Sequence, residues 1–154
     1  MTLHFAYGSN MSRALMGARC RGAKAIGTAT LSGWRFVINP EGFGSIAPRP
    51  GERVHGVLWR LSARDLAAIN AYESVDSGLY LRRRLPVRCG GVQAMALVYI
   101  ARRQGEGMPR PGYISLVVEA AREWQLPEIY VRSLARWAPS RWCGARAKDT
   151  GEVG

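Results

Sequence analysis

Gly90-Gly91 separates two β-rich stretches, residues 80–88 with Leu81, Leu85 and Val87, and residues 92–101. Paired glycines supply the backbone freedom of a tight turn, so the two stretches read as a β-hairpin. Other strand signals precede it. Residues 3–7 are apolar and stop at Gly8; residues 34–39 alternate and stop at Pro40; residues 45–48 are a short extended piece; residues 54–61 form a strong strand centred on Val57, Leu58 and Trp59. Helical signals are interspersed with these strands and then follow them. Ser12 or Asn10 can cap a short helix over 12–17. Ser62, with Asp65 three residues on, marks an approximate capping box for a helix over 62–72, where Leu66, Ile69 and Tyr72 recur at helical spacing. Residues 113–124 and 127–137 read as two further helices, the second with Pro127 in its first turn. The Gly- and Pro-rich stretch 103–112 is long enough to be a substrate loop or lid. This order predicts a single α+β domain over residues 1–138, a curved mixed sheet or small β-barrel flanked by helices. Residues 139–154 read as a loosely ordered tail.

A length of 154 residues fits one domain. Cys20, Cys89 and Cys143 are an odd number without close spacing, which argues against a disulfide framework or a structural zinc site and for reduced thiols. The first residues carry no basic leader and no apolar run of membrane-spanning length occurs, so a cytoplasmic protein with no membrane contact is expected. The formal net charge of +11 raises nucleic-acid binding as a possibility. Only Lys24 and Lys148 are lysines, however, and the arginines are scattered. The single run, Arg82-Arg83-Arg84, falls in a strand, where neighbours point to opposite faces.

Two segments carry chemistry. Phe5-Ala6-Tyr7-Gly8-Ser9-Asn10-Met11 ends a strand, where successive amide N–H groups make a cradle for anions and developing oxyanions. A plain turn with a capping Ser or Asn accounts for it equally well. In Tyr72-Glu73-Ser74-Val75-Asp76-Ser77-Gly78-Leu79-Tyr80, Glu73 stands at the end of an amphipathic helix. The negative end of a helix and partial burial both raise a carboxyl pKa, the direction needed by a base that later returns its proton. Taken alone, such a glutamate is more often simply solvated. His4 and His55 lie in strands with no nucleophile nearby and read as structural. Ser9 is not in a G-x-S-x-G elbow. Glu119 and Glu123 read as a solvated helix face, and Trp34, Trp59, Trp124 and Trp137 as core.

Together these segments resemble the γ-glutamylcyclotransferase family, also called AIG2-like or BtrG-like. The resemblance begins with the Tyr7-Gly8-Ser9-Asn10 signature. It continues through Gly33-Trp34-Arg35-Phe36, Ile46-Ala47-Pro48, Val54-His55-Gly56-Val57-Leu58-Trp59 and the block from Leu66 to Tyr80, and ends in Pro111-Gly112-Tyr113 and the helices after it. It spans roughly residues 3–138. One departure is Asn70, where the family often has Asp three residues before its catalytic Glu.

The resemblance implies an amine-releasing cyclising acyltransferase, formally a lyase. It would act on γ-glutamyl amino acids or amines, give 5-oxoproline, belong to glutathione metabolism and work as a monomer or homodimer. Glu73 would be the general base and acid. Tyr7, Gly8, Ser9, Asn10, Tyr80 and Tyr113 would bind substrate, and no metal or other cofactor would be needed. By position rather than by resemblance, the 103–112 loop would contact the leaving part, and Arg102, Arg103 and Arg110, in or beside it, would favour an acidic one. The competing readings are a non-catalytic small-molecule binding module on the same fold and a nucleic-acid-binding protein using its arginine surface.

Overall fold

A computed structural model describes residues 1–73 and 78–139. Five strands, β1 (Thr2–Ala6), β2 (Lys24–Ile38), β3 (Gly44–Leu61), β4 (Tyr80–Cys89) and β5 (Val92–Ala101), close into a barrel in the order β1-β3-β2-β4-β5. The β4–β5 hairpin turns at Gly90-Gly91 with full register from Tyr80↔Ala101 to Cys89↔Val92. β1 pairs antiparallel with β3, from Thr2↔Leu61 to Ala6↔Val57. The seams are thin: β1 meets β5 through the single parallel bridge His4↔Leu97, and β2 meets β4 through Thr30↔Arg88.

The expected strand over 34–39 is the second half of a longer β2. Its first half, residues 24–33, lacks clean alternation, and the ladder is interrupted by bulges at Ala25/Gly27 and Ser32/Trp34. Gly33 sits at the second bulge with φ +89, a conformation that side chains rarely adopt. The expected pieces 45–48 and 54–61 belong to one continuous β3. Its ladder with β2 nevertheless jumps from Trp34↔Pro48 to Ser32↔Arg53, leaving residues 49–52 outside the pairing. Pro48 and Pro50 cannot donate to a ladder, which explains both the break and its appearance as two strands.

Among the described residues, four α-helices and one 3-10 turn (Ser9–Met11) flank the barrel: α1 (Arg13–Arg19), α2 (Ala63–Tyr72), α3 (Tyr113–Glu123) and α4 (Glu128–Ala135). Ser12 caps α1, accepting from Leu15 N at 3.2 Å. Ser62 and Asp65 form the reciprocal capping box of α2. The buried Asp65 also accepts from Gly22 N at 3.2 Å, tying α2 to the chain after α1. α3 buries Ile114, Val117, Ala120 and Ala121, and the Trp124 indole donates to Met11 O at 2.7 Å. The barrel core and these helix faces form one hydrophobic cluster, with Trp59 inside it and Trp34, Trp124 and Trp137 packed against it. Of the expected tail, all but Pro139 lies outside the described residues.

Gly17 lies within α1 with open space where a Cβ would stand. Gly17→Ala is therefore expected to raise stability by about 0.5–1 kcal/mol, since alanine loses less backbone entropy in a helix. Chemical denaturation of the two proteins checks this.

Candidate active site

The strand β1 ends beneath a turn that has no room for a side chain at Gly8. A Cβ on Gly8 would stand 2.8 Å from the Tyr113 hydroxyl, and so would one on Gly44. These two glycines let the Tyr113 hydroxyl reach backbone, and it accepts from Gly44 N at 3.1 Å. Residues 9–11 then coil into the 3-10 turn, whose first N–H groups have no partner within it. Ser9 and Asn10 are buried there.

Across from this turn, α2 ends at Glu73, whose backbone N–H still bonds to Ile69 O at 2.8 Å. The carboxylate is thus delivered by a rigid element at its negative end. Asn10 Nδ2 donates to Glu73 Oε2 at 3.2 Å, joining the turn to the end of the helix. Burial pushes the Glu73 carboxyl up from its ordinary 4.5 to about 7, and the Arg19 guanidinium pulls against that rise.

Around them is a cavity of about 280 Å³ lined by Tyr7, Gly8, Ser9, Asn10, Glu73, Tyr80 and Tyr113, together with His4, Phe43, Leu79 and Tyr99. All seven residues singled out from the sequence thus face one space. Its hydroxyls are anchored. Tyr7 donates to Tyr99 O; Tyr80 donates to Gly44 O at 2.7 Å and accepts from Asn39 Nδ2 at 3.2 Å; Tyr99 donates to Asn70 Oδ1. Burial, with the Glu73 carboxylate adding to it, pushes Tyr7, Tyr80, Tyr99 and Tyr113 upward, so these hydroxyls remain neutral. The residue at the family's Asp position, Asn70, is therefore occupied in holding Tyr99.

His4 faces the cavity but is held neutral. Burial pulls its pKa down to about 4, and Nδ1 bonds to Leu97 O at 3.1 Å. The anchored, neutral ring accords with the structural role expected for it. Arg102, Arg103 and Arg110, expected to favour an acidic leaving part, do not line this cavity. Arg110 Nε donates to Glu41 O at 3.0 Å, Arg103 pairs with Glu41 at 2.9 Å, and Arg102 Nε donates to Gly78 O at 2.9 Å. The 103–112 loop is pinned to the β2–β3 turn by Gly107 N to Ile38 O and Arg110 N to Gly42 O. Through that turn it supports Phe43 on the cavity wall. Of the Tyr72–Tyr80 block, Ser74, Val75, Asp76 and Ser77 lie outside the described residues.

Two residues at the site escaped the sequence reading. Arg19 lies beyond the expected end of the first helix, which runs two residues further than its apolar signal. Tyr99 sits inside the β5 hairpin strand, where an aromatic residue reads as core. Among the described residues, no three His, Cys, Asp or Glu side chains gather into a metal-binding set. None of the helices described is long and apolar enough to cross a membrane.

A small closed barrel with a carboxylate and a strand-end turn facing one cavity defines the class. The chain belongs to the AIG2-like family, whose sequence profile it matches over residues 53–134. It is similar to curated proteins named gamma-glutamylcyclotransferase. Identity is 26% to the mouse protein and 24% to the human one, in each case across 98% of this chain and 86% of the relative. The fold is shared with a solved structure of a gamma-glutamyl cyclotransferase at a TM-score of 0.84 and 24% identity, covering 96% of this chain and 94% of that one.

Proposed function

We propose that this protein is an enzyme, a γ-glutamylcyclotransferase that converts γ-glutamyl amino acids or amines into 5-oxoproline and a free amine. The observation that carries this reading is the Glu73 carboxyl, raised to about 7 and facing the same cavity as the Gly8–Asn10 turn. The names of the mouse and human relatives support it.

The substrate holds its own nucleophile. Its α-amino nitrogen lies four bonds from the γ-carbonyl carbon, so attack closes a five-membered lactam and needs mainly a folded, oriented chain. Glu73 takes a proton from the α-ammonium, and the nitrogen attacks the carbonyl. The N–H groups of the turn meet the oxygen as it becomes negative. Collapse breaks the bond to the departing nitrogen, and Glu73 returns its proton there. Both protons lost by the attacking nitrogen end on the leaving amine, and no water is consumed. The aromatic wall of Tyr7, Tyr80, Tyr99 and Tyr113 excludes solvent and directs hydroxyl groups around the glutamyl head.

A panel of γ-glutamyl amino acids, γ-glutamyl-ε-lysine and γ-glutamyl amines, with 5-oxoproline and free amine both measured, tests the reading. Stoichiometric release of the two from any member supports it and ranks the leaving groups. Tight 5-oxoproline binding by folded protein with no turnover across the panel would replace it with a binding module. The same assay with glutathione and with free γ-glutamyl amino acids decides its place in glutathione metabolism.

A further inference from the structure

The carboxylate and the turn that face each other across the cavity are joined by a third group, at the last residue of α1. Arg19 lies half-buried with its guanidinium 3.6 Å from the centroid of the Tyr72 ring, the residue before Glu73. Its Nη1 donates to Asn10 Oδ1 and lies 3.4 Å from Ser9 Oγ. Asn10 in turn donates through Nδ2 to Glu73 Oε2 at 3.2 Å.

We propose that Arg19 is a positioning residue of this site: it locks the Asn10 amide so that its NH2 group, not its oxygen, faces Glu73, and clamps the turn to the end of α2. The inference rests on the assignment of Glu73 as the reacting base. The physical reason is polarity. An amide has one donor end and one acceptor end. Flipped, Asn10 would set its oxygen against a carboxylate and its NH2 against a guanidinium, two repulsive contacts in a half-buried place. The arginine leaves one orientation, and that orientation supplies a hydrogen bond to the ionised form of Glu73. Planar stacking on Tyr72 fixes the guanidinium while its edge is used for donation, a combination an ammonium cannot supply.

The other groups facing Glu73 do not do this. Tyr7 from the end of β1, Tyr80 from β4, Tyr99 from β5 and Tyr113 from α3 are neutral hydroxyls, and His4 on β1 is a neutral ring; the ring of Tyr72 on α2 carries the Arg19 guanidinium itself. Arg82 on β4 acts on Tyr99. Arg19 is the cation that acts on Glu73 among the described residues.

The test reads Glu73 directly and through turnover. The Glu73 carboxyl is titrated by 13C NMR in wild type, Arg19→Met and Arg19→Lys, with the signal assigned by its loss in Glu73→Gln. In parallel, kcat/KM for 5-oxoproline release is followed from pH 5 to 9. In Arg19→Met the Glu73 titration moves to higher pH. At pH 6 kcat/KM falls by about tenfold or more, the scale of a lost neighbouring charge, with a distinctly smaller loss at pH 9. Arg19→Lys keeps the titration close to wild type but recovers only part of kcat. If Arg19→Met does not fold, Arg19→Leu, which likewise removes both the donor to Asn10 and the charge, makes the same comparison. A folded, uncharged variant with an unmoved Glu73 titration overturns the proposal. Wild-type protein without turnover on any γ-glutamyl substrate overturns the assigned reaction instead, and the NMR titration still decides the role of Arg19.

Discussion

Glu73→Gln is expected to lower 5-oxoproline release by about 10²-fold or more, the scale of a lost general base, while the protein folds normally. Gln keeps the shape of the side chain and can still accept from Asn10, so the loss reports proton transfer rather than disrupted packing. The wild type should show kcat/KM rising with pH through about 7, the pH at which Glu73 becomes ionised in the folded protein. The same substitution has a second signature, in stability. Glu73 titrates higher in the folded state than its ordinary 4.5. Its favourable contribution is therefore full below about pH 4.5 and is lost as pH rises through 7. Gln carries no such dependence. Glu73→Gln should match wild type in thermal melting at pH 4 and exceed it at pH 8, by on the order of 3 kcal/mol. An inactive variant that is more stable only at alkaline pH would identify a carboxylate held ionised at a cost to the fold. Equal activity would move the base elsewhere, and equal stability at both pH values would remove the burial argument.

The second large effect lies behind the site. A Cβ on Gly56 would stand 2.2 Å from Ala6 O and within 2.9 Å of the Phe5 ring. Neither neighbour has slack. Ala6 is fixed in the β1–β3 ladder opposite Val57, and Phe5 is fully buried in the core. Gly56→Ala should therefore cost about 3 kcal/mol or more, at the upper end for overpacking against backbone. That corresponds to a fall in Tm of roughly 6–12 °C for a chain of this length. Because β1 runs straight into the Tyr7–Asn10 turn, the residual folded protein should also lose turnover. A melting curve within a degree of wild type would show that β1 can shift outward, and that the barrel is looser at this seam than its contacts indicate.

The sequence was most readable where one local signal decided the structure. Gly90-Gly91 set the β4–β5 hairpin to the residue, and Ser62 with Asp65 set the start of α2. It was least readable where tertiary pairing overrode weak local preference. Residues 24–33 hold their strand only because β3 lies beside them, and their bulges erase the alternation that would have announced it. Barrel closure was open in the sequence because a seam of one bridge, His4↔Leu97, leaves no pattern in either strand. The site divides in the same way. Glu73 and the Tyr7–Asn10 turn stood out through their resemblance to a family, since each alone reads as ordinary. Arg19 and Tyr99 carried no such signal, because their roles depend on partners 9 and 29 residues away, Asn10 and Asn70. The arginines of the 103–112 loop stood out by position, but their bonds to Glu41, to a backbone carbonyl on the β2–β3 turn and to the Gly78 carbonyl are tertiary and left no local pattern.

That thin β1–β5 seam has a bearing on how the chain is made. The first strand leaves the ribosome with Phe5 exposed, yet its neighbours are β3 and a β5 residue 93 positions later in the chain. One edge of an apolar strand must wait while some 93 further residues are synthesised, an interval in which unpaired edges find other chains. A net charge of +11 spread over scattered arginines keeps such nascent chains apart by mutual repulsion. Screening by salt would weaken that protection, so refolding yield should fall as ionic strength and protein concentration rise together.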